Sequence, residues 1–313
     1  MADQLPDISV VLATYNRAAC LPRAIASVLA EGGPRVELIV VDDASTDGTR
    51  GYLASLSDPS IRVISAERNL GPSGARNRGL AAARADIVAF LDSDDAYRAG
   101  RLARPLAAFA AEPDLVCVLS SAVKFDRTAP REARIPAVKL APAAFEWALI
   151  ADLIPVEATS MTIRRAPALA VGGFCDKLRL TEDREFLIRL ARKGAARLLP
   201  DLLWEKSWVD HSLSNQWAAA GRGLIAYVAQ RPEYRGRFRR LGSYLATKVL
   251  VGHLRNRAPL AFARDLARLS AAGLIDGNLA RLVRDHRAVS RYRRAMSSEA
   301  ALAALTGPPD GWG

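Results

Sequence analysis

Along the first hundred residues, short apolar runs rich in β-branched side chains alternate with stretches whose apolar residues recur every three or four positions. Ile8-Ser9-Val10-Val11-Leu12-Ala13, Val36 to Val41, Ile61-Arg62-Val63-Ile64 and Ile87 to Leu91 read as strands. Between them, Leu21, Ile25, Val28 and Leu29 share one helical face, Ser45-Thr46-Asp47 is a cluster of helix-capping residues, and Gly74 to Ala83 predicts a further helix. Strands separated by helices predict a parallel sheet covered on both faces. In such a sheet ligands collect beyond the carboxyl ends of the strands, and the polar clusters of this chain lie at those ends.

The pattern then changes. Leu115 to Val123 and Ser160 to Ile163 read as strands, Gly172-Gly173-Phe174 as a turn, and Thr181 to Lys193 as a helix with Thr181 as its N-cap. Residues 126–142 hold three prolines and no periodicity, which predicts a loop. From Trp217 onward strand signals vanish. Leu241, Tyr244, Leu245 and Val249 share a helical face, as do Phe262, Leu266 and Leu269, and Pro259 suits a first helical turn. The expected division is an α/β unit over residues 1–216 and a helical region over residues 217–313.

Charge divides at the same place. Residues 1–216 carry 27 basic and 27 acidic side chains, whereas residues 217–313 carry 17 and 6, so the whole net charge of +11 sits in the helical region. Such a surface suits an anionic partner, an anionic membrane face above all; a solvated surface in an arginine-rich chain accounts for it equally. Tyr227, Tyr234, Tyr244 and Tyr292 do not interleave with arginine as a base-stacking platform would, so nucleic acid is not expected. The apolar helical faces also offer a surface for a homo-oligomer. No apolar run approaches the roughly 18–20 residues of a spanning helix. Cys20, Cys117 and Cys175 lack metal-ligand spacing and fit reduced thiols, so a cytoplasmic protein is expected, and the basic helical region suits a peripheral place on the cytoplasmic face of the inner membrane.

Three polar clusters carry candidate chemistry. Asp92-Ser93-Asp94-Asp95 follows the fourth strand, and three carboxylates in four residues repel one another unless a cation or solvent neutralises them. Mg²⁺ or Mn²⁺ bound by one or two carboxylates and substrate phosphates is one resolution, and a solvated turn is the other. Asn69 to Asn77 leads through glycines into a helix whose free N–H groups suit a phosphate, with Arg76 adding charge; an ordinary capped helix reads the same way. Glu182 and Asp183 open a helix, where the dipole keeps a carboxylate ionised at neutral pH, although acidic residues are also routine in first turns.

Taken in order, these segments resemble the family 2 glycosyltransferases, which have the GT-A fold. Ile8 to Arg17 looks like that family's first strand and nucleotide loop. Val41-Asp42-Asp43-Ala44-Ser45-Thr46-Asp47-Gly48-Thr49 is similar to its V-D-D-G-S-T-D-G-T signature, with Ala44 where glycine is usual. Asn69 to Asn77 matches N-x-G-x-x-x-A-R-N, Phe90 to Asp95 matches F-L-D-x-D-D, and Gly172-Gly173-Phe174 and Glu182-Asp183 with Arg189 match later segments. The resemblance covers roughly residues 6–215. It implies an α/β fold with a mostly parallel sheet, helices on both faces and a C-terminal helical extension. It also implies an inverting enzyme that moves one sugar from a nucleotide diphosphate sugar, UDP-linked by preference, to a glycan or lipid-linked acceptor. The Q-x-x-R-W motif of processive synthases is absent.

The resemblance further implies roles. Thr14, Tyr15, Arg17 and Asp43 would meet the nucleotide, Arg76 the base or diphosphate, and Asp92 and Ser93 the sugar nucleotide. Asp92, Asp94 and Asp95 would hold the divalent metal. Asp183 would be the general base, with Glu182 orienting it or the acceptor. His211 looks like a histidine that reaches the metal or diphosphate in some members; its segment is one residue short, and a structural histidine fits equally. Two rivals remain: a non-catalytic nucleotide-sugar sensor or scaffold, and a sugar-phosphate nucleotidyltransferase, which would want a glycine-rich loop where Thr14-Tyr15-Asn16-Arg17 stands.

Overall fold

The computed structural model describes residues 5–125, 129–207, 220–275 and 278–309. Strands β1 (Ile8–Thr14), β2 (Val36–Asp42), β3 (Ile61–Ser65) and β4 (Ile87–Asp92) pair in parallel in the order β3-β2-β1-β4. They are joined by α1 (Leu21–Leu29), α2 (Thr49–Ala54) and α3 (Gly71–Ala82). Thr14 lies opposite Asp42 and Ala13 opposite Asp92, so three strands end on one level and deliver their polar termini to one edge.

Alternation sorts the apolar residues onto two faces. Val11, Ile39, Val41, Val88 and Phe90 face one core, with α3; Val10, Leu12, Leu38, Val40 and Leu91 face the other, with α1 and α2. Burial on both faces is why these strands read as continuous apolar runs. Gly79 is required by this packing: a Cβ there would lie 2.3 Å from Val11 Cγ1.

Beyond β4 the sheet is mixed rather than parallel throughout. After β5 (Ala96–Tyr97), α4 (Ala103–Ala111) and β6 (Leu115–Phe125), the chain makes β7 (Pro130–Ala133), β8 (Lys139–Leu140), α5 (Pro142–Ile150), β9 (Met161–Arg164) and α6 (Arg165–Ala170). Strand β9 inserts antiparallel between β4 and β6. Polar groups that no apolar pattern reveals hold it there. The fully buried Arg101 guanidinium donates to Thr159 O, Met161 O and Thr162 Oγ1, and Arg164 donates to Leu115 O.

The expected loop over residues 126–142 is partly built. β7 forms a hairpin partner of β6, and β8 pairs with β10 (Ala195–Lys206). Its prolines are compatible with this because Pro130 starts an edge strand and Pro142 starts α5, positions that need no N–H. Helix α7 (Glu182–Leu190) begins as expected, but Thr181 is not a side-chain cap. It sits at φ 64° in the left-handed region, and its hydroxyl donates to Leu180 O.

Among the described residues, five α-helices follow: α8 (Ala220–Gln230), α9 (Arg239–Arg255), α10 (Pro259–Ala271), α11 (Leu279–Ala295) and α12 (Glu299–Ala303). The buried residues of this region, among them Tyr227, Leu241 and Leu269 of the helices and Tyr234 between α8 and α9, belong to the same core as Phe145, Trp147 and Phe186 of α5 and α7. Trp147 Nε1–H donates to Tyr292 Oη at 2.8 Å and Tyr234 Oη–H to Ile150 O at 2.8 Å. Secondary structure changes after β10, while the hydrophobic core continues across it. Among the described residues no helix is long and apolar enough to cross a membrane.

Candidate active site

A cleft of about 1240 Å³ opens along the carboxyl edge of β1, β2 and β4 and continues between α7 and the C-terminal helices. Thr14, Tyr15, Arg17, Asp43, Arg76, Asp92, Ser93, Asp94, Asp95, Glu182 and Asp183 all line it, so residues from five separate segments meet in one cavity. His211 lies outside the described residues.

At one end, two loops are laced together. Asn16 N–H donates to Ser45 Oγ, Thr46 N–H to Asn16 Oδ1, and Arg17 N–H to Thr49 Oγ1. Asp42 accepts from Ser45 N–H and Arg50, tightening the turn. Ala44 adopts φ 64°, a conformation that favours glycine. Tyr15 stands 44% exposed at the rim. Thr14 is buried and lines the cleft, and its Oγ1 has no hydrogen-bond partner among the described residues.

The start of α3 is not an open anion site. Asp43 Oδ1 accepts Leu70 N–H at 2.7 Å and Oδ2 accepts Gly71 N–H at 2.8 Å, so the protein's own carboxylate takes the place expected for a phosphate. Each oxygen keeps a lone pair for a second donor, and the fixed Asp43 carboxylate faces the cleft.

Arg76 is equally committed. One turn into α3, its buried guanidinium donates from Nη2 to Asp92 Oδ1 at 2.6 Å and from Nη1 to Glu182 Oε1 at 2.8 Å. Burial opposes its charge, but Asp92 and Glu182 outweigh this and hold its pKa above the ordinary value. It packs over the Phe174 ring, whose edge meets Phe90. Asn77, one residue on, clamps the Phe174 backbone with two hydrogen bonds of 2.8 Å. A Cβ on Gly173 would meet Asn77 Oδ1 at 2.3 Å, which explains the glycine there. The segments around residues 76, 92, 173 and 182 are thereby fastened to one another.

The three aspartates differ. Asp92 is bound to Arg76. Asp95 is buried, and its Oδ2 accepts the Thr159 hydroxyl at 2.6 Å; burial, then Asp92 and Asp94, push its pKa well up. Thr159 Oγ1 also accepts Asp92 N–H. Asp95 thereby braces the turn through Oδ2, while the residue also lines the cleft beside Asp92 and Asp94. Asp94 faces the cleft, and no described side chain pairs with it; burial and Asp92 raise its pKa. Among the described residues no three His, Cys, Asp or Glu side chains surround one metal position. Asp94 with the remaining oxygen of Asp92 still fits the one or two carboxylates that Mg²⁺ or Mn²⁺ takes when phosphates complete its shell.

Asp183 lies deep in the cleft with part of its surface open, and its only described hydrogen bond is from the adjacent Arg184 N–H. Burial, reinforced by the Glu182 charge and opposed by Arg76, pushes its pKa up to about 7. The expectation that the helix dipole keeps it fully ionised thus gives way to a carboxyl poised near neutrality, the condition that suits a general base.

Sequence reasoning missed Thr159, the Asn77 clamp and the basic wall. Lys206 lines the cleft, paired with Glu157, and Glu157, Asp95 and Asp92 outweigh burial to raise its pKa. Lys248 and Arg255 of α9 line the far end. No local signal marks these, because each is a lone basic residue on a helix or strand.

The family model of Glycosyl transferase family 2 matches residues 9–171, just over half of the chain. Succinoglycan biosynthesis protein ExoO of Rhizobium meliloti (strain 1021) is 50% identical over 102 residues, 33% of this chain and 29% of that protein. UDP-Glc:alpha-D-GlcNAc-diphosphoundecaprenol beta-1,3-glucosyltransferase WfgD of Escherichia coli is 38% identical over 95 residues, 30% of this chain and 38% of that protein. The matches span less than half the length of these relatives. Two solved structures share the fold over nearly the whole chain. S. aureus TarS 1-349 in complex with UDP-GlcNAc has a TM-score of 0.59 at 18% identity, covering 93% of each chain. Mannosyltransferase PcManGT from Pyrobaculum calidifontis, in complex with GDP-Man and Mn²⁺, has a TM-score of 0.57 at 21% identity, covering 96% of this chain and 85% of that one. The fold is GT-A with a helical C-terminal region, and the likeness to these two structures covers 93% and 96% of the chain.

Proposed function

This chain belongs to glycosyl transferase family 2, and from that premise we propose that it transfers a single sugar from a UDP-sugar to an acceptor hydroxyl, with inversion, in the assembly of a cell-surface glycan on a lipid carrier. The observation that carries the reading is the Arg76 bridge. One guanidinium ties Asp92, at the donor end of the cleft, to Glu182, the neighbour of Asp183. The group that holds the donor and the group that accepts a proton are thereby kept at a fixed separation.

In this reading the nucleobase sits against Tyr15 and the Thr14 hydroxyl, with Asp43 accepting from a ring N–H. Arg17 and Ser93 flank the diphosphate. Asp94 and Asp92 would hold a divalent cation, which when bound supplies Lewis-acid stabilisation of the departing diphosphate. Asp183 takes the proton of the acceptor hydroxyl as its oxygen attacks the anomeric carbon from the face opposite the leaving group. The bond to the diphosphate breaks, and the new glycosidic bond forms with inverted configuration. Glu182, held by Arg76, keeps a negative charge beside Asp183 and raises its basicity.

Thermal unfolding with UDP, TDP, GDP and CDP, each with Mn²⁺ or Mg²⁺ and again with chelator, tests the reading. A ligand at about 100 times its Kd adds about 2.7 kcal/mol, a shift of a few degrees for a chain of this size. A metal-dependent shift largest for UDP is expected. A shift without any transfer to lipid-linked acceptors would favour a donor sensor, and no shift would sink both. The exposed Arg235, Arg237, Arg239 and Arg240, with Leu254 and Leu260 exposed by 59% and 86%, support peripheral placement on an anionic bilayer. Salt-insensitive liposome co-sedimentation, or none, would remove that part.

A further inference from the structure

Asp152 stands where glycine is usual. Helix α5 ends at Ile150, and two backbone bonds close it: Asp152 N–H donates to Leu149 O at 3.2 Å and Leu153 N–H to Ala148 O at 2.8 Å. This is the helix ending that favours glycine, and Asp152 takes the left-handed conformation it demands, at φ 55°. A side chain is carried here against backbone preference, and the contacts of its carboxylate account for it.

Three cations from three helices converge on that carboxylate. Arg184 of α7 lies 2.8 Å from Oδ1, and Lys248 of α9 and Arg293 of α11 lie 2.8 Å and 3.1 Å from Oδ2. Burial opposes the Asp152 charge, but Arg184, Lys248 and Arg293 outweigh this and hold its pKa below the ordinary value. Arg184 grips the same turn a second way, donating to Leu149 O and Ile154 O. Lys248 and Arg293 pack over the Tyr244 ring, and Arg293 donates to the Tyr244 hydroxyl. Asp152 thus ties the start of α7 to α9 and α11.

Arg184 is also the neighbour of Asp183, and Asp152, Asp183 and Arg184 line one cleft. The Arg184 N–H donates to Asp183 Oδ1 at 2.7 Å, while its guanidinium reaches Asp152. The charges acting on Asp183 are Glu182 and Arg184 on α7 and Arg76 on α3. Arg184 in turn faces Asp152, Tyr227 of α8 and Tyr234, and burial raises the pKa of both phenols, which keeps them neutral. His286 of α11 has its pKa lowered by burial and by Lys248. Without the Asp152 charge, Arg184 would stand uncompensated beside Asp183.

We propose that Asp152 is a positioning residue for the base: through Arg184, Lys248 and Arg293 it fastens the helical region to the start of α7 and limits the positive charge that reaches Asp183. The inference rests on the transferase reading, in which Asp183 is the base, and adds to it a part for the C-terminal helices.

Calorimetric unfolding of the full chain in chelator, between about pH 5 and 9, tests this with two pairs: wild type against Asp183→Asn, and Asp152→Asn against the double variant. Asparagine keeps the size of the side chain and accepts the left-handed conformation, so the substitution removes charge alone. Within a pair the difference in midpoint follows the titration of Asp183, because titrations shared by both members cancel. That difference should stop changing about 0.5–1 pH unit lower in the Asp152→Asn pair than in the wild-type pair, since an uncompensated Arg184 favours the ionised base. A residue that merely braced the fold would lower all midpoints and leave the end of the change where it was, which would overturn the proposal. Lys248→Met, at a half-exposed position that spares the fold, carries the opposite sign. Asp152 then offsets more of the Arg184 charge, and the change should end at higher pH; an unmoved end would overturn the link to α9. A wild-type pair with no pH-dependent difference would remove Asp183 as the base and the role of Asp152 with it. The metal-dependent UDP shift is read separately. Its absence would sink the transferase reading, whereas its presence beside an unmoved Asp183 titration would sink the Asp152 role alone.

Discussion

The two halves of the cleft are built on different principles. The donor half is made of strand ends and the start of α3, and its groups are bound to one another: Asp43 to two backbone N–H groups, Arg76 to two carboxylates, Asp95 to Thr159. The other half is a wall of helices, where one carboxylate, Asp152, meets Arg184, Lys248 and Arg293 and Arg255 stands exposed. Fixed polar groups suit a ligand part that never changes, such as a nucleotide diphosphate. A charged helix face can be altered residue by residue without undoing the fold. Substitutions should accordingly cost more stability among the interlocked strand-end groups than on the exposed helical wall, and rate at Asp183 between them.

The meeting point gives the largest expected effect. Asp183→Asn should lower kcat by about 10²–10⁴-fold with nucleotide binding intact, about 3–5 kcal/mol of barrier. Wild-type kcat/KM should fall as pH drops through about 7, because the base works only when ionised and its pKa is pushed up to about 7 by burial and Glu182. Stability moves the other way. A carboxyl whose folded pKa lies above its unfolded value favours the fold while protonated, and that contribution is lost as pH rises from about 4 toward 7. The thermal midpoint of Asp183→Asn relative to wild type should therefore rise between pH 5 and pH 8, measured by calorimetry in chelator. A constant difference would mean that Asp183 is not titrating there.

Arg76→Met probes the donor half. It leaves Asp92 and Glu182 facing each other across a buried gap, and removing one partner of such a network costs about 3–5 kcal/mol in well-buried cases. Partial exposure of Asp92 puts the expected value near the lower figure. Urea unfolding would measure it. A loss under about 1 kcal/mol would mean that the donor half is no more interlocked than the helical wall.

This division also decided what could be read from the chain. The β1 to β4 runs were legible because burial on both faces leaves a continuous apolar signature, and their ends marked the cavity. The antiparallel insertion of β9 was not legible, since Arg101 and Arg164 hold it through carbonyls distant in sequence. Asp92, Asp94, Glu182 and Asp183 stood out as carboxylates at element ends, yet their roles depend on pairings that cross the chain. Asp43 and Arg76 looked ready for ligand and are largely occupied by protein. Lys248 and Arg255 carried no local signal, and only the packing of α9 among α8, α10 and α11 places them on the cleft.

Gly79→Ala tests how little the donor half can give. The added Cβ would meet Val11 Cγ1 at 2.3 Å, and both atoms belong to regular elements that cannot part without moving the Thr14 end of β1. Overpacking of this kind costs typically about 1–3 kcal/mol. Nucleotide affinity should fall along with the unfolding midpoint; a lowered midpoint with unchanged affinity would show that strand ends and core move independently.

The smallest effect is a gain. Ala44 holds φ 64° within the tight turn that joins Asp43 to Ser45. The left-handed conformation costs a residue with a Cβ about 1–2 kcal/mol, whereas glycine adopts it freely but loses more chain entropy on folding, about 0.4–1 kcal/mol. The balance predicts that Ala44→Gly stabilises the protein by about 0.5 kcal/mol. Denaturant melts of the pair would resolve this if the slope is unchanged. The turn also carries Asp43 and Ser45, which fix α3 and Asn16, so relaxing it tests whether strain there serves the site. Equal UDP affinity in a more stable variant would make Ala44 a tolerated cost. Weaker UDP binding would mean that the strained alanine positions the nucleotide loop, and that even the rigid half of the cleft is tuned by a single methyl group.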